Sequence, residues 1–490
     1  MMKSVKMNQK RSIRLLLVAL LTAVAGISGL RAQSADTLSI DLETALKIAL
    51  SENPTVKVAD MEITRKEYAK KSAYGALLPQ LDLIGQYQRA IERQTVYFDE
   101  GFGFGGDIDP SEYTPEELQI LEVMNRALMP DPETANQGIQ MGRFNVWSGG
   151  VNVSLPLVVP SLWKNIQMSE VDIRLAMEKA RASRIDLVNQ VKKAFYSLLL
   201  AQDSYLMFRK TYETDSLNLE NIRNRFNQGV VAEYDVITAD VRLKSLIPSI
   251  LQAENMMKIA DLQLKMLMGM DSEAPLKVVG SLEDYHASMF DVIIPADTSL
   301  VNNSDIRQFE LQSEQVKNAY EMQKLQFSPT LVSSFNWTYM SQNNDFNFST
   351  YRWDPYSMLG FTLRIPLFSG GQRYNGVKQA ELQLFQMEEQ RKELERGLKL
   401  SIRNNYNLIN KNIEQVVAAE SSVAQARKGQ EIARKRYETG MGTILDVNAA
   451  ALAVINAELQ YRNAIYDYLA AKADLEKVLG YDINPLQTNE

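Results

Sequence analysis

With 490 residues, 45% of them hydrophobic and 23% charged, the chain has the makeup of an ordered protein, long enough for two or three domains or for one extended assembly subunit. A formal net charge of −7 argues against a basic face and hence against a nucleic-acid partner. Zero cysteines and a single histidine, His286, exclude disulfides, thiol nucleophiles and metal centres built on Cys or His, and no paired-carboxylate or nucleophile constellation stands out, so neither catalysis nor a cofactor or metal is expected.

Basic residues Lys3, Lys6, Lys10, Arg11 and Arg14 precede an apolar run from Leu15 to about Leu30 and then Arg31-Ala32-Gln33. That order predicts a cleavable export signal over 1–32, cut after Ala32, in preference to a membrane anchor, which needs roughly 18 or more apolar residues. No cysteine follows to carry a lipid. No later segment has the apolar length of a transmembrane helix, so any membrane crossing must be made by strands.

The next stretch, 33–270, gives signals in the order helix, strand, loop, strand, long helix, turn, long helix. Leu81, Leu83 and Tyr87 alternate with Asp82, Gln86 and Gln88, and Trp147, Val151, Val153 and Leu155 alternate with Ser148, Asn152 and Ser154. Between these strands, over about 94–146, lies a Gly-rich, acidic, Pro-containing loop insertion. Pro156 marks the turn from strand to helix. From 161 to 247 there is no proline, and Val191, Leu198, Tyr205, Tyr212, Leu219 and Phe226 recur at sevens, the period of a coiled-coil seam. About 65 helical residues at 1.5 Å each make a rod on the order of 100 Å long, suited to bridging an aqueous gap. Gly229 ends this helix as a left-handed cap. The methionines Met256, Met257, Met266, Met268 and Met270 read as helix-seam filler and not as soft-metal ligands, since no Cys or His accompanies them.

A linker over 271–297, with His286 read as a solvated side chain, leads to a second unit over 298–482 and a tail over 483–490. Phe335, Trp337 and Tyr339 alternate with Ser334, Asn336 and Thr338, and Leu359, Phe361, Leu363 and Ile365 with Gly360, Thr362 and Arg364, before a turn at Pro366. Ile402, Ile409, Val416, Val423, Gln430 and Tyr437 occupy the sevens of a second long helix, which Gly440 ends.

The two units are copies. Arg225-Phe226-Asn227-Gln228-Gly229 returns 211 positions on as Arg436-Tyr437-Glu438-Thr439-Gly440, and at that same displacement Asp235-Val236 falls on Asp446-Val447 and Met268-Gly269 on Leu479-Gly480. Upstream, Leu155-Pro156-Leu157 matches Ile365-Pro366-Leu367 at 210, and Asn53 with Pro79 matches Asn303 with Pro329 at 250, leaving forty extra residues in the first unit. The signals together give an α+β membrane protein with internal structural duplication, in which each chain contributes two long antiparallel helical hairpins and four amphipathic strands. A sheet of a soluble domain would need a partner over its apolar face, and helices with narrow seams of their own make poor covers. Four strands cannot close a barrel in lipid; two chains supply eight and three supply twelve, and a lumen wide enough for solutes favours twelve. The hairpins then form a periplasmic tube, and the insertion lies outside the cell.

Two halves, each with a Pro-marked strand pair, a long hairpin and an Arg-aromatic-x-x-Gly tip followed six residues later by Asp-Val, resemble the TolC-type outer-membrane efflux protein family over nearly the whole mature chain. The resemblance implies a homotrimer with a shared twelve-strand transmembrane β-barrel and an α-barrel of twelve helices in the periplasm, docked on a periplasmic adaptor and through it on an inner-membrane pump. It further implies that Arg225, Phe226, Gly229, Arg436, Tyr437 and Gly440 are tip residues that meet the adaptor. Asp235 and Asp446 follow the tips and are candidates for acidic groups at a periplasmic aperture, where they would favour cations. For Asp446 there is also a local role, a capping box with Thr443, whereas Ala232, the equivalent of Thr443, cannot cap. A loop arginine that helps latch the closed state and a second acidic ring, both known in the family, correspond here to Gly442 and Ala449, which puts that latch and that ring in question. The competing reading is a periplasmic adaptor-like coiled-coil protein without a pore, for which one hairpin and no paired lipid-compatible strands would be expected.

Overall fold

The structure, a computed structural model, describes residues 38–96, 111, 113–128, 139–290 and 300–481. The expected export signal, the C-terminal tail and linker residues 291–297 lie outside the described residues. In chain order the elements are β1 (Leu38–Ile40), α1 (Leu42–Glu52), α2 (Pro54–Gly75), β2 (Gln80–Arg89), β3 (Gln94–Val96), α3 (Pro115–Leu128), β4 (Ile139–Met141), β5 (Asn145–Val158), α4 (Pro160–Asn227), α5 (Glu233–Met268), β6 (Leu276–Val278), α6 (Ser304–Leu325), β7 (Thr330–Asn343), β8 (Asp354–Arg364), α7 (Gln372–Glu438) and α8 (Ile444–Leu479). Corresponding helices of the two halves have near-equal lengths: 22 and 22 residues for α2 and α6, 68 and 67 for α4 and α7, 36 and 36 for α5 and α8. The chain divides into two compact units, one built of Tyr68–Glu170 with Val316–Leu382 and the other of the remainder.

The first of these holds the sheet, antiparallel throughout in the order β2-β5-β7-β8. Its register places like with like. Leu81, Val153, Phe335 and Leu359 form one row, and Leu83, Val151 and Trp337 continue on the same face; Asp82, Asn152 and Asn336 make a row on the opposite face. The strand alternation expected from sequence therefore sorts into one apolar and one mainly polar face, the latter also carrying Met358 and Tyr356 of β8. Among the described residues neither face is covered. Every residue of β2 is exposed, as is every residue of β8 except Gly360. Leu83 is 86% exposed and Phe361 65%. Such exposure of large apolar groups in a row is unlike the half-buried sheet of a soluble domain.

Two expectations are corrected in this unit. Pro156 is not the strand-to-helix turn: it lies inside β5 opposite Val332, where the ladder shifts between Pro156 and Val158, and α4 begins only at Pro160. A proline survives in a strand at such an irregularity because the donor it lacks is not needed there, and a second proline at the first helical position loses nothing. Pro366, by contrast, sits in the connection between β8 and α7. The forty-residue insertion is also more than a loop, since β3 and β4 form a short ribbon and α3 runs for 14 residues. Thr114 and Glu117 close a reciprocal cap at its start, with Glu117 N–H donating to Thr114 Oγ1 and Thr114 N–H to Glu117 Oε2 (2.9 Å).

The second unit holds the hairpins. On α7 the buried residues are Ile402, Asn405, Ile409, Asn412, Val416 and Val423, a narrow stripe at steps of three and four with a last step of seven. On α4, Val191, Leu198 and Leu219 are buried, Tyr205 and Tyr212 half-buried, and Phe226 at the tip is exposed. Met268 is buried in the core while Met256 and Met266 face outward.

Each half closes at the same joint. Asn53 Nδ2 donates to Leu267 O (2.7 Å) and its Oδ1 accepts from Thr55 N–H (2.7 Å); Asn303 Nδ2 donates to Val478 O (2.6 Å) and its Oδ1 accepts from Ile306 N–H (3.0 Å). One buried amide thus caps the start of α2 or α6 and the end of α5 or α8 together. The left-handed glycines Gly269 and Gly480 complete those ends.

The linker is bound across the hairpins. β6 pairs in parallel with β1, Leu282 N–H donates to Asp203, Tyr461 Oη to Glu283 (3.0 Å) and Tyr468 Oη to Met289 O. Burial raises the Asp203 carboxyl above its usual range. His286 is not solvated as expected: its ring lies edge-on to Phe290 and near Tyr461, with Nε2 3.7 Å from Glu420. Sequence context places histidine in a polar stretch but does not show that the stretch is laid against two helices.

Candidate functional site

The two hairpin tips are built alike from their sequences. After α4, Gly229 takes φ 73° and Val230 N–H donates back to Arg225 O (2.9 Å); after α7, Gly440 takes φ 76° and Met441 N–H donates to Arg436 O (2.8 Å). These backbone bonds satisfy carbonyls that a helix end leaves open. The second tip then starts α8 with a capping box, in which Asp446 N–H donates to Thr443 Oγ1 (3.2 Å) and Thr443 N–H to Asp446 Oδ2 (2.9 Å). The Thr443 N–H, and after it the Thr443 hydroxyl donating to the same Oδ2 (2.9 Å), hold the Asp446 carboxyl below its ordinary range. A lowered value means the cap is complete above the ordinary carboxylate range and is lost only as pH falls through the lowered one.

At the first tip Ala232 makes no side-chain cap, and Asp235 is used differently. Its Oδ2 accepts from Tyr437 Oη (3.1 Å), on the other hairpin, and the Arg225 guanidinium stands 5.5 Å from the centre of the Tyr437 ring. Burial, and then the charge of Asp235, push the Tyr437 hydroxyl up to about 12, so it remains a donor at any physiological pH. Beneath these groups Leu219 and Ile222 of α4, Ala239 and Leu243 of α5, and Ile444 and Val447 of α8 form one buried cluster that joins the hairpins.

The structure therefore brings Arg225, Asp235 and Tyr437 together, assigns Asp446 to its own helix cap, and leaves Phe226 exposed. Arg436 turns onto its own loop, donating to Met441 O. At Gly442 a side chain has little room, since an added Cβ would lie 3.1 Å from Arg436 Cβ and 3.3 Å from Tyr437 N.

A further tie was not read from sequence. Arg242 Nε donates to Asp215 Oδ2 (2.8 Å) and its Nη1 to the backbone oxygen of Asn448 (2.6 Å), on the second hairpin. The repeat conceals it, because the residues 211 positions on are Ala453 and Ala426. The mismatch between halves is the signal that marks it. Among the described residues no group of three or more His, Asp or Glu side chains is placed to hold a metal, and no helix is long and apolar enough to cross a membrane.

The comparisons with known proteins agree with this architecture. The profile of the family described as outer membrane efflux protein matches residues 45–270 and 296–481. The chain is 24% identical over 340 residues to the Vibrio cholerae outer membrane protein TolC, covering 68% of this chain and 76% of that one. It is 22% identical over 343 residues to the Escherichia coli outer membrane protein TolC, covering 69% and 70%. In fold it is similar to the Campylobacter jejuni CmeC outer membrane channel, with a TM-score of 0.66 at 18% identity over 90% of this chain and 85% of that one. With both halves matched by one family profile, the chain belongs to the outer membrane efflux protein family.

Proposed function

We propose that this outer-membrane protein is the channel subunit of an export assembly: a homotrimeric passive conduit that takes its cargo from an inner-membrane pump through a periplasmic adaptor. The observation that carries the reading is the sheet, with an uncovered apolar face and two edges, β2 and β8, each paired on one side only. An unpaired edge in lipid leaves backbone groups unsatisfied at several kcal/mol each, so the sheet has to be closed by further copies. Because β2 and β8 run in opposite directions, β8 of one copy can pair antiparallel with β2 of the next, and three copies give twelve strands. A stripe on α5 supports the same assembly. Tyr234, Ile237, Val241, Ile259, Leu262 and Met266, at helical spacing along one side, are all exposed in the single chain.

In the trimer the hairpin tips form the periplasmic mouth and present Arg225, Phe226, Gly229, Arg436, Tyr437 and Gly440 to the adaptor. The Tyr437–Asp235 bond holds the mouth narrow, and Asp235 and Asp446 bias it toward cations. Fractionation of cells expressing the full chain, followed by gels of unboiled and boiled samples, is expected to show a heat-modifiable trimer in the outer membrane. Planar-bilayer recording of that trimer is expected to show small cation-selective currents; a water-soluble monomer without conductance would overturn the reading. Tyr437→Phe is expected to raise conductance several-fold at unchanged trimer level. Asp235→Asn is expected to raise conductance and reduce cation preference together, and Asp446→Asn to reduce cation preference alone; unchanged selectivity in the latter would leave Asp446 with its capping role only.

A further inference from the structure

Arg242 stands two helical turns from Asp235 on the same face of α5, so the two ties described near the tips spring from one side of one helix. Its charge is committed in two directions. Asp215 on α4 receives Nε, and the two side chains are 13% and 14% exposed; Nη1 reaches across to Asn448 O on α8. The fork geometry of a guanidinium makes this double engagement possible.

Two features separate this arrangement from ordinary hairpin packing. The first is its absence from the other half, where Ala453 and Ala426 take the corresponding places in helices of equal length. The α7–α8 hairpin forms without such a pair, so the pair is not a requirement of hairpin folding. The second is the nature of the acceptor. Asn448 O lies within α8, where a carbonyl already serves the helix ladder, and Asp215 keeps the guanidinium paired if the second bond opens. Breaking the contact therefore strands neither a buried charge nor a buried acceptor, which is the condition for a tie that opens and closes repeatedly.

We propose that Arg242 is a latch residue of the closed mouth, positioned by Asp215 and engaging the backbone of the second hairpin. The proposal rests on the reading of the chain as a channel closed at its hairpin tips. It assigns the latch to the first hairpin, at a position where the two halves differ.

Planar-bilayer recording of the full-length trimer tests it, with trimer yield and heat stability measured in parallel. Arg242→Met keeps the unbranched stem and the helix propensity but removes both charged bonds; it is expected to raise the open-state occupancy about tenfold, the effect of losing one charge-assisted hydrogen bond. Arg242→Lys retains a charge for Asp215, yet one ammonium cannot serve the carboxylate and the distant carbonyl together, so it is expected to open as well, by a smaller factor. Combining Arg242→Met with Tyr437→Phe is expected to open the mouth further than either alone. Stable trimers of Arg242→Met and Arg242→Lys with wild-type currents, alongside an opened Tyr437→Phe, would overturn the latch while leaving the channel reading intact. A wild-type chain that forms no conducting trimer would sink the channel reading itself, and the latch with it.

Discussion

Alanine at position 480 is expected to keep the chain from accumulating as a folded trimer. Gly480 has φ 69°, in the left-handed region, and a Cβ there would stand 2.1 Å from Asn302 O and 2.6 Å from its carbonyl carbon. Both neighbours are backbone, and they belong to the turn that Asn303 anchors through its 2.6 Å bond to Val478 O, so they cannot withdraw without breaking the joint. The left-handed conformation costs a non-glycine residue roughly 1–2 kcal/mol, and forcing an atom into occupied space adds about 1–3 kcal/mol. Together these come to about 2–5 kcal/mol, which at its upper end equals the whole stability of a marginal domain, about 5 kcal/mol. Gly269→Ala, with φ 68° and a Cβ 2.8 Å from Glu52 O, is expected to be damaging but less so. Gly440→Ala is the control. It shares the positive φ, at 76°, but its Cβ would point into open space, so only the conformational cost of about 1–2 kcal/mol applies. Trimer melting on unboiled gels should therefore rank the variants 440, 269, 480 in increasing severity. Equal losses at 440 and 480 would show that close packing at the Asn303 joint contributes nothing.

What could be read before the structure was what periodicity and repetition encode. The strand alternation, most of the sevens of the long helices, and the landmarks Asn53, Asn303, Gly269 and Gly480 are local or duplicated features that lie where their patterns place them, whereas Phe226, the last of the first series, is exposed at the tip. The features missed have different physical origins. Pro156 reads as a boundary because proline ordinarily ends a strand, but a ladder irregularity accommodates it. The helix α3 was hidden by the glycines around it, although Thr114-Pro115-Glu116-Glu117 carries a start signal. His286 and Arg242 gain their surroundings from segments 134 and 206 residues away, Glu420 and Asn448 respectively, and no window along the chain displays such contacts. Asp235 falls between these cases: its position followed from the repeat, while its partner Tyr437 is a choice of tertiary structure made possible because Ala232 leaves the carboxylate free of a cap.

Val151 and Asn152 offer a direct test of which face of the sheet meets lipid. They are neighbours near the middle of β5 at one depth, but Val151 shares its face with Leu83 and Trp337, whereas Asn152 lies opposite Asp82 and Asn336. An arginine on the lipid side of a barrel strand near the bilayer midplane costs roughly 2–4 kcal/mol, and a trimer carries it in every copy. Val151→Arg is therefore expected to abolish the heat-modifiable trimer in outer-membrane fractions. Asn152→Arg, turned toward water and beside the Asp82 carboxylate, is expected to assemble at near wild-type level and to weaken the cation preference of the pore. The contrast does not depend on the backbone, since arginine is introduced at adjacent positions of one strand. If Val151→Arg assembled as well as Asn152→Arg, the apolar row would face something other than hydrocarbon, and the argument that the free edges of β2 and β8 must be closed by other copies would lose its premise, because an edge in water can be satisfied by water.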